Sequence, residues 1–410
     1  MVAGQDELFI ALAFSGGGTR AAAFSYGALK KLAATPLPGQ SDKSILDEVD
    51  LISSVSGGSF TAAYFGLFGQ EKTLREFPAK FLHQNYELTM AQTIFNPYYF
   101  FSLMSPWFDR SDMAAELYGK NIYEDKKFSD LIKRGSHPFI ALNATNMYTG
   151  YRFTFTQNYF DFLCSRIDDF PVARAVAASS AFPILLTPIT LKNYPQCSFN
   201  MPIEVAMGLK DWNLNRERYY WANSQAIYRN DYDQHHYLHL VDGGLADNLG
   251  LDYILASLAR GALYDRLPKI KRLVVITVNS QVNPPQGIDL ESDPPGTLEV
   301  AFKTGTVSME NLTLERSQKT RERLAELLKK RLQETGAKGV QGGARLPKTY
   351  YIELNLGDET DPERLKKLMA IPTSFHLKPS QVEMMIHEAA SLLEKNRSWH
   401  KLLSDLGASP

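Results

Sequence analysis

Ser56, Asp242 and the glycines at positions 16 to 18 are the residues of this chain whose types and surroundings could do chemistry together. Gly16-Gly17-Gly18-Thr19-Arg20 follows an apolar run, Ser54-Val55-Ser56-Gly57-Gly58 follows a second, and Val241-Asp242-Gly243-Gly244 follows a third. Each stands where a strand should end and a turn or helix begin. A loop of glycines can aim bare backbone N–H groups at a developing oxyanion. A serine on a strand-to-helix turn can be a nucleophile, and the helix behind it points its positive end at the site. That hydroxyl needs a base to accept its proton. An aspartate on a glycine-flanked turn can serve once partial burial raises its pKa. Taken together, the three segments describe an acyl-transfer site.

Each segment has a plainer reading. Alone, S-x-S-G-G is more often a serine capping a helix, with glycines for packing, and Asp before Gly-Gly is a common turn. The glycines before Thr19 could instead cradle a phosphate. However, the dinucleotide fingerprint needs G-x-G-x-x-G and the nucleotide loop needs G-K-[ST], and neither is present. The ordered set favours acyl transfer. Within it, the oxyanion hole is assigned to Gly16, Gly17 and Gly18, with Gly17 and Gly18 giving the N–H groups and Gly16 forming the turn.

A histidine must also be weighed, because serine hydrolases usually use one. His235, His236 and His239 precede Asp242, but strand alternation turns His239 to the side opposite Asp242. Neither His376 nor His387 lies in a loop after an obvious terminal strand, so a Ser56–Asp242 dyad is simpler. His235-His236 lacks a spaced carboxylate or cysteine partner of zinc type, and no metal or other cofactor is expected.

The set resembles the patatin-like phospholipases, a family of lipid acyl hydrolases. Its hallmarks are a G-G-G-x-[RK] oxyanion loop, a G-x-S-x-G elbow and a D-G-[GA] motif carrying the dyad aspartate. They match Gly16 to Arg20, Ser54 to Gly58 and Asp242 to Gly244. Ala178-Ser179-Ser180-Ala181-Phe182-Pro183 is similar to the family's A-S-x-A-x-P segment. The order fits across roughly the first 280 residues. One departure is Ser54 in place of the first elbow glycine, a small residue that lets the turn close but leaves a second serine as rival nucleophile. The resemblance implies an α/β, patatin-like fold, with a central, mainly parallel β-sheet sandwiched by α-helices. It also implies a supporting role for Arg20, Gly58, Gly243 and Gly244, catalysis without metal, and a phospholipid or other acyl-ester lipid as substrate.

The elements needed to position these residues are legible. Leu8 to Phe14 and Val49 to Ser54 read as buried strands, followed by helical spacing from Thr19 to Leu32 and from Ser59 to Phe68. Pro138 to Ala144 and Tyr151 to Thr156 have strand character, Val172 to Ser180 reads as a helix, and residues 193 to 236 as an irregular insertion. Tyr237 to Val241 is a strand, Leu249 to Ala262 a helix and Leu273 to Val278 a strand. A proline-rich loop over 282–296, a charged helix over about 298–334, a Gly336–Gly343 turn, a strand from Tyr350 to Leu354 and two helices complete the chain. This divides into a catalytic core, 1–285, and a C-terminal helical elaboration with one added strand, 286–410. The clustered aromatics from Phe95 to Phe108 suit a core or a lipid-facing lid equally.

At 410 residues, with 44% hydrophobic and 22% charged content, the chain has the composition of a globular protein with a large core. A net charge of −1 gives no bulk field for nucleic acid or anionic lipid, so peripheral membrane contact would rest on apolar groups. Lys329-Lys330-Arg331 reads as a solvated helix end. Cys164 and Cys197 are too few for a disulfide framework; they could form one bridge, a pairing the sequence leaves open, and two free, buried thiols are the plainer reading. No stretch is long enough to span a membrane, and the first strand begins so soon after Met1 that an upstream targeting segment could have been removed. Compartment and oligomeric state stay open, and the style is bacterial by resemblance. Two rival functions share these residues: an acyltransferase using the same acyl-enzyme, and a non-catalytic lipid-binding protein on a hydrolase fold.

Overall fold

The computed structural model describes residues 8–260, 270–282 and 347–407, apart from Ser136, Ile184 and Leu214, together with scattered positions between 296 and 326. Two almost wholly apolar or small segments form its centre, β1 (Leu8–Phe14) and β4 (Val49–Val55), which are buried on both faces as internal parallel strands must be. A short hairpin, β2 (Pro36–Leu37) and β3 (Gln40–Ser44), lies between them in sequence and forms its own small sheet. The main sheet also contains β5 (Phe139–Asn146), β6 (Arg152–Thr154), β7 (Ile189–Lys192), β8 (Tyr237–Val241), β9 (Arg272–Asn279) and β10 (Lys348–Asn355). Its order is β10-β9-β1-β4-β5-β8-β7, with β6 beside β5. The strands β10, β9, β1, β4 and β5 are mutually parallel, whereas β6 and β8 run antiparallel to β5, and β7 antiparallel to β8. This is a mixed α/β fold with a central, mostly parallel sheet flanked by helices.

Helix α1 (Gly18–Ala33) follows β1 and α2 (Gly57–Phe77) follows β4. Small residues on α1, among them Ala21, Ala22 and Ala23, are fully buried between the sheet, α2 and the helix Pro379–Lys395. β1 therefore has β4 on one side and β9 on the other, and the chain leaves it at a point where the strand order diverges. Crevices outside the carboxyl ends of strands form at such switch points. Both the glycine loop and Ser56 sit there.

The polar stretch before β8 departs from expectation. Residues 193 to 236 are not wholly irregular, because Arg216–Asn230 forms a helix capped by the Asn215 side chain. Its buried stripe is narrow (Ala222, Ala226 and Tyr228) amid Arg, Tyr and Asn, so the apolar periodicity is faint. Of the two readings left open for the cysteines the structure shows the bridge and not the plainer one: Cys164 and Cys197 are joined in a disulfide, with Cα atoms 5.4 Å apart. The fold brings them together because the Tyr194 N–H bonds Leu163 O at 3.0 Å and Arg229 ties Phe162 O to Tyr194 O.

Helices α3 (Tyr86–Thr93), α4 (Pro97–Ser102) and α5 (Arg110–Tyr118) divide the aromatic segment in two. Tyr99 and Phe108 pack inward with Met113 and Leu117. Phe95, Tyr98, Phe101, Met104 and Trp107 face outward, with Phe95 85% and Trp107 83% exposed. The proline-rich loop after Val282, the charged stretch from 327 onward with Lys329-Lys330-Arg331, and the Gly336–Gly343 turn lie outside the described residues, as do 261 and 262 at the end of the helix expected there. No helix among the described residues is long and apolar enough to cross a membrane.

Candidate active site

Ser56 stands between β4 and α2 with φ 47° and ψ −120°, a conformation seldom adopted by a residue with a side chain and found where surrounding structure enforces it. Gly57 shows what enforces it: a Cβ there would collide with Gly18 O. The elbow and the glycine loop are thus packed backbone to backbone. Ser56 Oγ donates to Asp242 Oδ2 at 2.8 Å. Ser54, the rival serine, is fully buried in β4, with its Oγ 3.1 Å from Ser59 Oγ.

Asp242 reaches Ser56 through an unusual strand. β8 pairs with β5 only at the last two residues of each, Val241 with Thr145 and Leu240 with Asn146. It therefore comes down onto the carboxyl end of the sheet and releases Asp242 beside the elbow. Asp242 Oδ1 accepts the Gly244 N–H at 2.8 Å. Burial pushes its carboxyl up to about 6, against the opposing effect of the hydrogen bonds from Gly244 and Ser56. His239 is on the exposed face of β8, 2.9 Å from Thr190 Oγ1. His387 Nδ1 is 2.8 Å from Arg364, and no histidine among the described residues lines the cleft around Ser56.

The Ala178 to Pro183 segment joins the two halves. Ser179 Oγ accepts the Ser56 N–H at 2.9 Å, Ser179 O accepts the Gly243 N–H at 3.0 Å, and Ala181 O accepts the Asp242 N–H at 2.9 Å. Ser179 Oγ in turn donates to Asn143 O at 2.6 Å, and Thr145 Oγ1 donates to Asp242 O at 2.8 Å. These partners hold both backbones of the pair. Asn143 and Thr145 carried a weak sign in sequence, as polar residues at the end of an otherwise apolar strand.

Among the glycines, Gly16 donates its N–H to Asn248 O at 3.1 Å, so that group is already engaged. Gly17 (φ 134°) and Gly18 (φ 59°) adopt left-handed backbone conformations that favour glycine. Neither donates its N–H to a partner among the described residues. Among the described residues no carboxylate pairs with Arg20. Its buried guanidinium donates to Ser280 O at 2.9 Å and Ile371 O at 2.8 Å, and burial lowers it to about 10, still charged at neutral pH. Ser280 Oγ donates to Gly16 O at 3.1 Å, and Ser374 O accepts the Thr19 N–H at 2.9 Å. Ser280 and Ser374 buttress the loop from distant sequence, and sequence reading missed both. The cleft above is walled by Phe182, Leu185, Val282, Met309 and Phe375. An apolar channel over a serine, an acid of raised pKa and free N–H groups is suited to an acyl chain and its ester carbonyl.

The sequence matches the family described as Patatin-like phospholipase over residues 12–255, and the chain belongs to that family. No curated protein sequence matches it. The fold is similar to that of human GIVD cytosolic phospholipase A2, with 13% identity and a TM-score of 0.51. That similarity covers 98% of this chain and 62% of the human one, so this chain spans less than two thirds of that protein. The same human enzyme in complex with methyl gamma-linolenyl fluorophosphonate is similar at 13% identity and a TM-score of 0.46, over 98% of this chain and 59% of that one.

Proposed function

We propose that this chain hydrolyses the acyl ester of a lipid, of phospholipase A or lysophospholipase type, through a Ser56–Asp242 dyad. The observation that carries the reading is the 2.8 Å hydrogen bond from Ser56 Oγ to a buried carboxylate. Ser56 Oγ attacks the ester carbonyl as its proton passes to Asp242. The oxyanion receives the N–H groups of Gly17 and Gly18. Asp242 then protonates the departing alcohol, leaving an acyl-enzyme. A water attacks that ester, gives its proton to Asp242, and Ser56 recovers its own as the free acid leaves. An aspartate held near 6 is ionised at neutral pH yet basic enough to share in the transfer.

An acyltransferase would use the same first half-reaction. Product analysis with and without added alcohol separates the two. The expected result is free fatty acid as the main product in both, and ester as the main product under dilute alcohol would favour transfer. A non-catalytic lipid binder predicts neither product.

The substrate class also implies contact with a lipid surface. From Leu88 to Phe108 the chain has no charged residue, and its outward side chains are Phe95, Tyr98, Phe101, Met104 and Trp107. Aromatic residues of this kind settle at a membrane interface. Glu87, at the start of this segment, lines the cleft and accepts the Phe375 N–H at 2.8 Å, so the patch adjoins the site. Trp107→Ala combined with Phe95→Ala is expected to weaken binding to neutral vesicles by tenfold or more, at ~0.8 kcal/mol per buried methylene equivalent. Turnover of a short soluble ester should be spared. Loss of both activities together with a lower melting temperature would place these aromatics in a structural role instead.

A further inference from the structure

Glu87 stands at the mouth of the cleft, and the reaction above gives its charge nothing to do. It lies in the first turn of α3, is exposed to solvent and lines the cleft. One of its carboxylate oxygens, Oε1, accepts the Phe375 N–H at 2.8 Å. Among the described residues no cation forms an ion pair with it.

The other charges of the cleft offset one another. Among the described residues that line it, only Arg20 and Asp242 are also charged. Both are buried, opposite in sign and already engaged. The Arg20 guanidinium donates to Ser280 O and Ile371 O, and the Asp242 carboxylate accepts from Ser56 and Gly244. The stretch from Leu88 to Phe108, which carries the outward rings, brings no charge. Glu87 is therefore the unbalanced charge of the cleft, and Phe182 and Phe375 line the same space. A carboxylate beside aromatic rings suits a cation, a quaternary ammonium above all. The reach is right for a lipid headgroup. The peptide unit between Ser374 and Phe375 has Glu87 on its N–H side and the glycine loop on its carbonyl side, where Ser374 O accepts the Thr19 N–H at 2.9 Å. One peptide unit thus separates the carboxylate from the loop that would hold the ester carbonyl, a gap that a glycerol phosphate arm spans.

We infer that Glu87 is a specificity-determining residue, which selects lipids with an ammonium headgroup over lipids whose headgroup is only anionic. This rests on the lipid hydrolase reading. Phosphatidylcholine and phosphatidylglycerol carry the same phosphate and differ in what lies beyond it, an ammonium in one and hydroxyls in the other. The ammonium meets Glu87 and offsets its charge. Without it, the lipid brings a net negative charge toward a carboxylate that has no cation to offset it. The selection is electrostatic, so it weakens as salt screens the mouth of the cleft.

The test measures kcat/KM on short-chain phosphatidylcholine, phosphatidylethanolamine and phosphatidylglycerol, all as dispersed monomers so that no charged surface takes part. The parent is expected to prefer phosphatidylcholine to phosphatidylglycerol by roughly three- to tenfold at low salt, the scale of one charge near a protein surface, and by less at high salt. Glu87→Gln keeps an oxygen for the Phe375 N–H and removes the charge, so its ratio should fall to about one and lose its salt dependence. Glu87→Lys should invert the ratio. Phosphatidylethanolamine separates the two kinds of ammonium: a preference as large as that for phosphatidylcholine assigns the selection to charge alone, and a smaller one adds the aromatic rings. A parent that cleaves phosphatidylglycerol as well as phosphatidylcholine, or that cleaves a p-nitrophenyl ester and neither phospholipid, would overturn the inference. So would an unchanged ratio in Glu87→Gln beside a lost one in Glu87→Ala, since Glu87 would then serve only to hold Phe375. These outcomes leave the hydrolase reading in place. That reading fails instead if the folded parent turns over neither the p-nitrophenyl ester nor any of the three lipids.

Discussion

Ser56→Ala is expected to lower hydrolysis of a soluble p-nitrophenyl ester by on the order of a millionfold, the scale seen when a serine nucleophile is removed. The fold should persist, because no described backbone contact uses the hydroxyl and the Ser56 N–H would still reach Ser179 Oγ. Ser54→Ala should keep most of the activity. Its hydroxyl is enclosed in β4 and points to Ser59 Oγ rather than into the cleft. Initial rates for the two variants, with circular dichroism as the check on folding, decide between the serines. A dead Ser54→Ala beside an active Ser56→Ala would reverse the assignment.

Asp242→Asn is expected to lose on the order of ten-thousandfold or more in the same assay, as losing the acid of a serine hydrolase does. No single His→Ala substitution should approach it, because no histidine among the described residues lines the cleft. Activity of the parent should fall as pH drops through about 6, where the base becomes protonated. Stability should move the other way. The folded pKa of about 6 lies above the ordinary 3.8, so the native state binds this proton more tightly. The stability this contributes is fully present below 3.8 and is lost as pH rises through 6, by on the order of 3 kcal/mol. Asp242→Asn, which removes the charge, should therefore melt higher than the parent at pH 7 while being inactive. A folded histidine variant as inactive as Asp242→Asn would point to a triad.

Much of this site could be read from the chain because its parts are local. A glycine loop, an elbow and a glycine-flanked aspartate each declare themselves within five residues, and the apolar runs before them mark the strands that end there. The sequence did not reveal how remote segments hold those parts. Ser179 meets the elbow through its Oγ, whereas Ser179 and Ala181 hold the aspartate turn through main-chain carbonyls, which any residue possesses. Ser280 and Ser374 reach the glycine loop from hundreds of residues away, and nothing in their neighbours signals it. The partial pairing of β8 with β5 brings Asp242 to the elbow, yet its residues read as an ordinary strand. The Arg216–Asn230 helix was hidden by its polar composition, and the Cys164–Cys197 bridge by the fact that spacing alone does not say which thiols meet. For the aromatic segment, composition could not separate the inward Tyr99 and Phe108 from the outward Phe95 and Trp107, since all four are apolar rings within fourteen residues.

The central claim is that Ser56, activated by Asp242, forms a covalent bond to the acyl group. Its most direct test is treatment of the parent chain with a fluorophosphonate probe, followed by mass spectrometry of the peptides. The expected result is one adduct per chain, on Ser56, absent from Ser56→Ala and strongly slowed in Asp242→Asn. Labelling of Ser54 or another residue, or no labelling of a folded chain, would contradict it.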